Sequence, residues 1–460
     1  MIRNARRTIV VGLVIVGSAV ALHAASGPGG GRAKAADWRI HPPVPVLGLA
    51  QVEITVDPRA AKVRLAGYGA RFRKLATGVL DPVYAHALVG ADARGRLFGI
   101  VSLDLCWVPT ELRDRVLAKL ADRGFTASNL LMAATHTHSS LAGRDRTALS
   151  RLLFGPFDEA LTERTAARVA EAVARAQESM VPARWEIATV RLPGMNRSRL
   201  DPAFDVGQSA YGQGLKPDPG KYRVDDRLTV LRFTTVEGKP LGALVHYAAH
   251  PTILSDKNLN ISADWPGVVY RRVAEALGPE TVTIVLNGTE GDTAPLPDWQ
   301  DDVNAEVRQV QEYGNRVADE VLKALPQTRP MKSQDVATSL AVRPLANVVM
   351  RSLRGWKMPL SFSRLFYARP EAPFQAFRLG DLVFLALPGE PTTQVGADMM
   401  ALCSPDDACR VVGLSNGYLG YLVTPQEYAG GTYAADSSFF GPHEEDMIRD
   451  GVRAALDGLR

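Results

Sequence analysis

Four short segments of the chain concentrate groups that bind metals or move protons. In Ala134-Thr135-His136-Thr137-His138-Ser139 two histidines stand two apart, directly after an apolar run. Residues two apart on an extended chain point to the same side, so both imidazoles can face one cavity. Neutral imidazole is the commonest nitrogen ligand for zinc. A satisfied pair of polar side chains is the other reading of this motif taken alone. The second segment, His246-Tyr247-Ala248-Ala249-His250-Pro251, follows the apolar run Leu241 to Val245. On a helix the two histidines would share a face, but Pro251 and the preceding strand favour an extended or turning chain. One of the two then reaches a metal, and His246 reads as the structural one. The chain has 8 histidines, and four of them fall in these two strand exits.

The third segment, Leu387-Pro388-Gly389-Glu390-Pro391-Thr392-Thr393, ends another apolar run in a tight turn bearing a carboxylate. Alone, Glu390 reads equally as an acid at a helix N-terminus opened by Thr392 or Thr393. Beside the histidines it becomes a candidate carboxylate ligand. The fourth, Asn287-Gly288-Thr289-Glu290-Gly291-Asp292-Thr293-Ala294-Pro295, has two glycines that let the backbone approach a site. It offers Asp292 and Thr293, with a polar turn as the alternative. A later stretch, Leu422 to Pro442, holds Gln426-Glu427-Tyr428, to which composition assigns no role.

These segments need elements to position them. Apolar runs bounded by turn residues predict strands at Leu97–Leu105, Asn129–Ala134, Leu228–Thr234, Leu241–Tyr247, Val282–Leu286 and Leu382–Leu387. Helical periodicity predicts helices at Thr110–Arg123, Asp158–Ser179, Pro266–Leu277, Val303–Leu325, Thr393–Leu402 and Glu444–Leu459, with Pro109 and Pro266 suited to helix starts. The alternation predicts an α/β fold, a mixed β-sheet core flanked by helices. No repeat or long linker divides residues 37–460, which are read as one domain. The polar motifs lie just past the C-terminal ends of the apolar runs, where ligands bind in α/β sheets.

A formal net charge of +4 over 460 residues is too small and too dispersed for a nucleic-acid partner. At the start, Arg3, Arg6 and Arg7 precede an apolar run from Ile9 to Leu22 and then a glycine-rich patch. Residues 1–36 are therefore expected to be an export signal or an N-terminal anchor, and the protein to be periplasmic or extracellular. Cys403 and Cys409 flank a turn-like insert and could close a small loop in an oxidising compartment, or stay reduced. Cys106, in an apolar run, is read as a buried free thiol.

Taken together, the segments resemble the neutral/alkaline (non-lysosomal) ceramidase family. The matching residues are Thr135-His136-Thr137-His138-Ser139, Asn196-Arg197-Ser198, His250-Pro251 with Ser262-Ala263-Asp264, Pro388 to Thr393, and Gln426-Glu427-Tyr428. The resemblance implies zinc held by His136, His250, Glu390 and Tyr428, with His138 and Arg197 lining the reacting centre. It implies hydrolysis of an amide bond, in N-acyl-sphingosine (ceramide) or a related N-acyl lipid, and association with a membrane surface. The chain departs from the family at Ala294, where a serine is expected, and at Phe440, where a tyrosine is expected. It stops at Arg460, which predicts a short form without the family's C-terminal domain. Loss of the serine favours attack by a metal-activated water. His138 would serve as proton donor, Arg197 as anion or oxyanion partner, and Asp292 or Asp264 would orient a histidine. Thr293, next to the lost serine, is the remaining hydroxyl. Two alternatives stay open: a metallohydrolase for another N-acyl or ester substrate, and an inactive ligand-binding homologue.

Overall fold

The computed structural model describes residues 44–72, 74–201, 222–296, 302–351, 356–357, 359, 363, 371–405 and 408–459. All of them fall within the unit Ala35–Arg460. The expected signal or anchor at 1–36 lies outside the described residues. Among those described, no helix is long and apolar enough to cross a membrane.

The first half of the fold is a large mixed sheet. Its strands, in chain order, are β1 (Val46–Glu53), β2 (Tyr84–Ala91), β3 (Leu97–Leu103), β4 (Leu130–Ala134), β5 (Val181–Arg191), β7 (Arg227–Thr235), β8 (Pro240–Tyr247) and β9 (Val282–Asn287); the short β6 (Asn196–Ser198) lies outside it. The spatial order is β9-β8-β7-β5-β1-β2-β3-β4. Only the two outermost pairs, β3 with β4 and β8 with β9, run parallel. Parallel neighbours require a crossover. Helices α1 (Thr110–Leu120) and α4 (Trp265–Leu277) lie in those two connections. A second sheet, in order β11 (Val336–Pro344), β12 (Glu371–Leu379), β13 (Leu382–Ala386) and β14 (Ala408–Val412), repeats the device. There β13 and β14 are parallel, joined through α6 (Thr393–Met400).

The two sheets pack face to face. Phe98, Ile100, Leu131, Trp185, Phe233 and Ile284 of the first meet Phe377, Leu382 and Phe384 of the second in one buried cluster. Helix α1 and α3 (Glu159–Glu178) cover the outer face of one half of the first sheet. Helix α4 and α5 (Val303–Ala324) cover the other half. Helix α6 and α8 (Glu444–Asp457) cover the second sheet. Strands buried on both faces explain why the predicted runs were continuously apolar rather than alternating. The fold is thus α/β, with a mixed-sheet core flanked by helices, but the core is two sheets instead of one. The sequence reading missed β1, β2, β5, β11, β12 and β14.

Helix α3 shows how the layers close. Asp158 caps it by accepting from the Leu161 amide. Its buried stripe Thr162, Ala166, Val169, Ala170, Val173 and Ala176 follows the 3–4 spacing of one helix face. The helix seats so closely that a Cβ on Gly48 of β1 would come within 1.9 Å of the Ala176 carbonyl oxygen. A cross-link also forms, between Cys403 and Cys409. Cys106 is buried and free.

At the start of α8, Glu444 is buried, and its Oε2 accepts from Ser438 Oγ at 2.9 Å and from the Val423 amide at 3.3 Å. Burial raises its carboxyl to about 8. The unfolded chain releases this proton near pH 4.5, while the folded chain keeps it. Stability must therefore fall between pH 4.5 and about 8, by up to ~1.4 kcal/mol per pH unit. In a Glu444→Gln variant, thermal unfolding should lose this part of the pH dependence, and its midpoint at pH 8 should exceed that of the wild type. Parallel decline of both proteins across that window would refute the assignment.

Candidate active site

Three strand exits converge. His136 follows β4, His250 follows β8, and Glu390 follows β13. Glu390 Oε2 lies 3.2 Å from His136 Nε2 and 3.2 Å from His250 Nε2. All three residues are at most 2% exposed. His136 has φ 74°, a left-handed conformation costly for a residue with a side chain. It is held by its amide donating to the Leu105 carbonyl.

Each imidazole is oriented from behind. His136 Nδ1 lies 2.6 Å from the Cys106 carbonyl oxygen, and His250 Nδ1 lies 3.2 Å from that of Thr293. A carbonyl can only accept, so Nδ1 carries a proton in both rings and Nε2 is the nitrogen turned toward Glu390. Tyr418 donates to Glu390 Oε1 at 2.6 Å, while Oε2 is buried without a hydrogen-bond partner. Burial pushes Glu390 up, but His136 and His250 beside it hold it well below the usual carboxylate range. A buried, ionised oxygen beside two imidazole nitrogens calls for positive charge next to it. The 3.2 Å edges suit adjacent donors of a tetrahedral cation with bonds of about 2.0–2.1 Å. The residues present fit a divalent metal ion.

His138 completes the cluster. Its Nε2 is 3.2 Å from His136 Nε2, and its ring meets Tyr68 edge to face at 4.5 Å. Burial, with His136 and His250 nearby, holds it well below its ordinary value, so it rests neutral. Arg71, buried, ties the His138 carbonyl to those of Ala66 and Ser255. His246, by contrast, points into the core, its Nε2 2.6 Å from the Val411 carbonyl oxygen.

Other expected residues make contacts of their own. Tyr428 has a buried hydroxyl without a hydrogen-bond partner among the described residues. It sits on α7 (Pro425–Gly430), which a Thr424–Glu427 capping box opens. Glu427 is drawn to the Thr392 hydroxyl at 2.8 Å. Tyr428 is one step further round the helix and packs beside Tyr421, Val423 and Ala434. The charges that act on its phenol are those of Arg351, Glu444 and Asp436. The phenol at the ligand carboxylate is that of Tyr418.

Arg197 lies in β6 opposite Ala294 of β10 (Thr293–Pro295). The guanidinium set against His250 belongs to Arg199, at 3.1 Å from Nε2 and 3.4 Å from the Tyr421 hydroxyl. Thr293 turns its hydroxyl to the Thr289 carbonyl at 3.1 Å and serves the site through its own carbonyl. Asp292 accepts from the Thr393 amide and hydroxyl at 2.7 and 2.8 Å, fixing the chain after Glu390 instead of a histidine. Asp264 accepts from the Leu254 and Trp265 amides at 3.1 and 2.7 Å and likewise orients no ring. Sequence reasoning passed over Arg199, Tyr418 and the Cys106 carbonyl, and no spacing rule points to any of them.

Above the ligands opens a cavity of about 240 Å³ whose lining includes His136, His138 and Glu390. Its walls are largely apolar, with Leu149, Leu153, Phe154, Val348, Phe439 and Phe440. Trp107 stacks on Tyr418 at 4.9 Å and donates to Asp145 at 3.1 Å.

The family model for neutral/alkaline non-lysosomal ceramidase, N-terminal, matches residues 46–296 and 361–450. Neutral ceramidase B of Dictyostelium discoideum is 23% identical over 84% of this chain and 68% of its own length. The neutral ceramidase of Pseudomonas aeruginosa is 24% identical over 86% of this chain and 69% of its own. The crystal structure of neutral ceramidase from Pseudomonas aeruginosa superposes with a TM-score of 0.76 at 21% identity, covering 90% of this chain and 75% of that one. A structure of a ceramidase complexed with C2 gives 0.74 at 21% identity, covering 90% and 76%. At this identity the superpositions speak for the fold.

Tyr418→Phe removes the one hydrogen bond to Glu390 Oε1 found among the described residues and leaves the ring stack in place. Affinity for a divalent cation, read by Zn²⁺ titration against a chelator, should fall about 10–100-fold. An unchanged dissociation constant would show that Tyr418 does not support the ligand.

Proposed function

The chain belongs to the neutral/alkaline non-lysosomal ceramidase family, matched over residues 46–296 and 361–450, and on that premise we propose that it is a zinc-dependent hydrolase cleaving the amide bond of an N-acyl lipid such as ceramide. The observation that carries the reading is Glu390 Oε2 lying 3.2 Å from both imidazole nitrogens, beneath an apolar cavity. His136, His250 and Glu390 would hold the ion. Histidine with carboxylate and a remaining open position is a donor set typical of catalytic zinc. Zinc, when bound, supplies a Lewis acid that polarises the acyl carbonyl and acidifies water.

The chain's own residues supply the rest. His138, neutral and in the pocket wall, accepts a proton as water adds to the carbonyl carbon. It then returns that proton to the departing amine nitrogen. The Tyr421 hydroxyl, in the pocket wall and within 3.4 Å of Arg199, donates to the developing oxyanion. The apolar walls take the acyl chain and exclude water. Ala294 offers no hydroxyl, and that of Thr293 is turned away to Thr289, which supports direct attack by water over an acyl-enzyme. Export of the protein, proposed from residues 1–36, is compatible with the Cys403–Cys409 bond.

Ala294 also favours a second reading, a homologue that binds an N-acyl compound without turning it over. Zinc content and fatty-acid release should be measured on wild type and His136→Ala, with ceramides and with soluble N-acyl amines. The variant should lose stoichiometric zinc and more than about 100-fold of turnover, beyond the loss expected for a mere supporting hydrogen bond. Undiminished turnover in the metal-free variant would end the zinc proposal. Tight binding without turnover in the zinc-loaded wild type would favour the second reading. Preference for soluble amines would reassign the substrate. Mass spectrometry of the enzyme under turnover should find no acyl adduct; one on Thr293 would contradict direct attack.

A further inference from the structure

Among the described residues that line the active-site cavity, Asp145 is the one acid besides Glu390, and none is Lys or Arg. Asp145 is 8% exposed. Its Oδ2 accepts from the Trp107 indole at 3.1 Å, and its Oδ1 from the Thr147 amide at 2.8 Å. Trp107 is stacked in turn on Tyr418, the support of Glu390. Thr147 opens α2 (Ala148–Phe154), whose Leu149, Leu153 and Phe154 form part of the apolar wall. The carboxylate is thus fixed between the metal-ligand support and a helix of the wall.

What this carboxylate lacks is a cation. Both flanking arginines are turned elsewhere. Arg144 donates to the Leu141 carbonyl, and Arg146 reaches Glu159 at 2.9 Å and covers the ring of Phe157. The groups that act on the Asp145 carboxyl are Thr147 and Trp107, both donors and neither charged. The charge it does meet is a like one, since Asp145 adds to the rise that burial imposes on Glu111. A carboxylate removed from water without a cation is costly. Its two structural contacts do not demand the charge, because a neutral oxygen can accept from an amide or an indole N–H. The side from which a cation can come is the cavity that Asp145 lines.

The proposed reaction makes such a cation. An amide and water give a carboxylate and an amine. An aliphatic amine released at neutral pH takes up a proton and becomes an ammonium, its pKa lying near the lysine value of about 10.4. Resting on the hydrolase reading, we infer that Asp145 is the binding point for the ammonium group of the amine half, whose chain lies along the α2 wall. The site then selects N-acyl amines whose released half is basic and carries no acid. A carboxylate or phosphate on that half would face Asp145 with Glu111 behind it, which is repulsive.

The test is calorimetric titration of octylammonium and of octanol, alike in chain length and different in charge, into the full chain preloaded with Zn²⁺ at neutral pH. It needs no turnover, so its failure and that of the hydrolase reading are separable. Octylammonium should bind about 10–100-fold more tightly than octanol, as expected for a hydrogen-bonded charge pair taken out of water. Asp145→Asn should bring octylammonium to the octanol level and leave octanol binding unchanged, which also shows the cavity intact. Asp145→Glu, which keeps the charge, should keep the preference. Equal affinity for the two probes in the wild type overturns the inference. A preference that survives in Asp145→Asn puts the ammonium at another acid and overturns it too. Where Asp145→Asn loses octanol as well, Asp145→Glu decides: preference for octylammonium in that variant supports the inference, and its absence overturns it.

Discussion

The site turns on one buried carboxylate. Glu390 is ionised in the protein interior with one oxygen satisfied by Tyr418 and the other facing two imidazole nitrogens. Charge removed from water must be compensated locally. The surroundings impose that requirement in fixed geometry, because carbonyls of Cys106 and Thr293 decide which nitrogen of each ring points inward. The demand reaches His136, which burial alone would drive down but which the Glu390 carboxylate and Cys106 beside it lift well above its usual value. His250 is held down at about 3 by burial and by the Arg199 guanidinium. The two rings thus answer the same carboxylate differently, since only one has a cation beside it.

Three crossovers bring the ligands together. Each parallel pair ends in a loop that leaves the sheet at the C-terminal edge, and each such exit carries one ligand. The two sheets are locked in relative register where these exits meet. The Ala134 amide donates to the Leu414 carbonyl, and the Asn416 amide to that of Met132, so β4 and the chain after β14 move as one body. A ligand set spread over 254 residues of sequence (136 to 390) can therefore be held in one place without a continuous local scaffold. The acids that fix the chain after Glu390 share its burial. Burial lifts Asp292 and Glu427 above the usual carboxylate range, and the charge of Asp292 adds to the rise at Glu427.

The cavity extends the same logic outward. Its lining joins His136, His138 and Glu390 to the largely apolar wall of Leu149, Leu153, Phe154, Val348, Phe439 and Phe440, which suits the proposed substrate, a reactive amide on a long inert chain.

Local pattern made much of this protein legible. Period and burial marked six strands and six helices, because a doubly covered strand must be apolar throughout and a helix on a sheet must carry a 3–4 stripe. Histidines clustered at strand exits marked a candidate metal site, and the family resemblance singled out His136, His250 and Glu390 among them. Pro251 and the preceding strand separated His250 from His246. What remained hidden depends on contacts between distant segments. Tyr418 reaches Glu390 across 28 residues, and Arg199 reaches His250 across 51. A capping box holds Glu427 where it accepts from the Thr392 hydroxyl, 35 residues away. Sequence determines which residues lie at the end of a strand, since that is a matter of neighbouring chemistry. Only tertiary structure decides which phenol or guanidinium completes the site, since a hydrogen bond or an ion pair depends on distance through space and not along the chain.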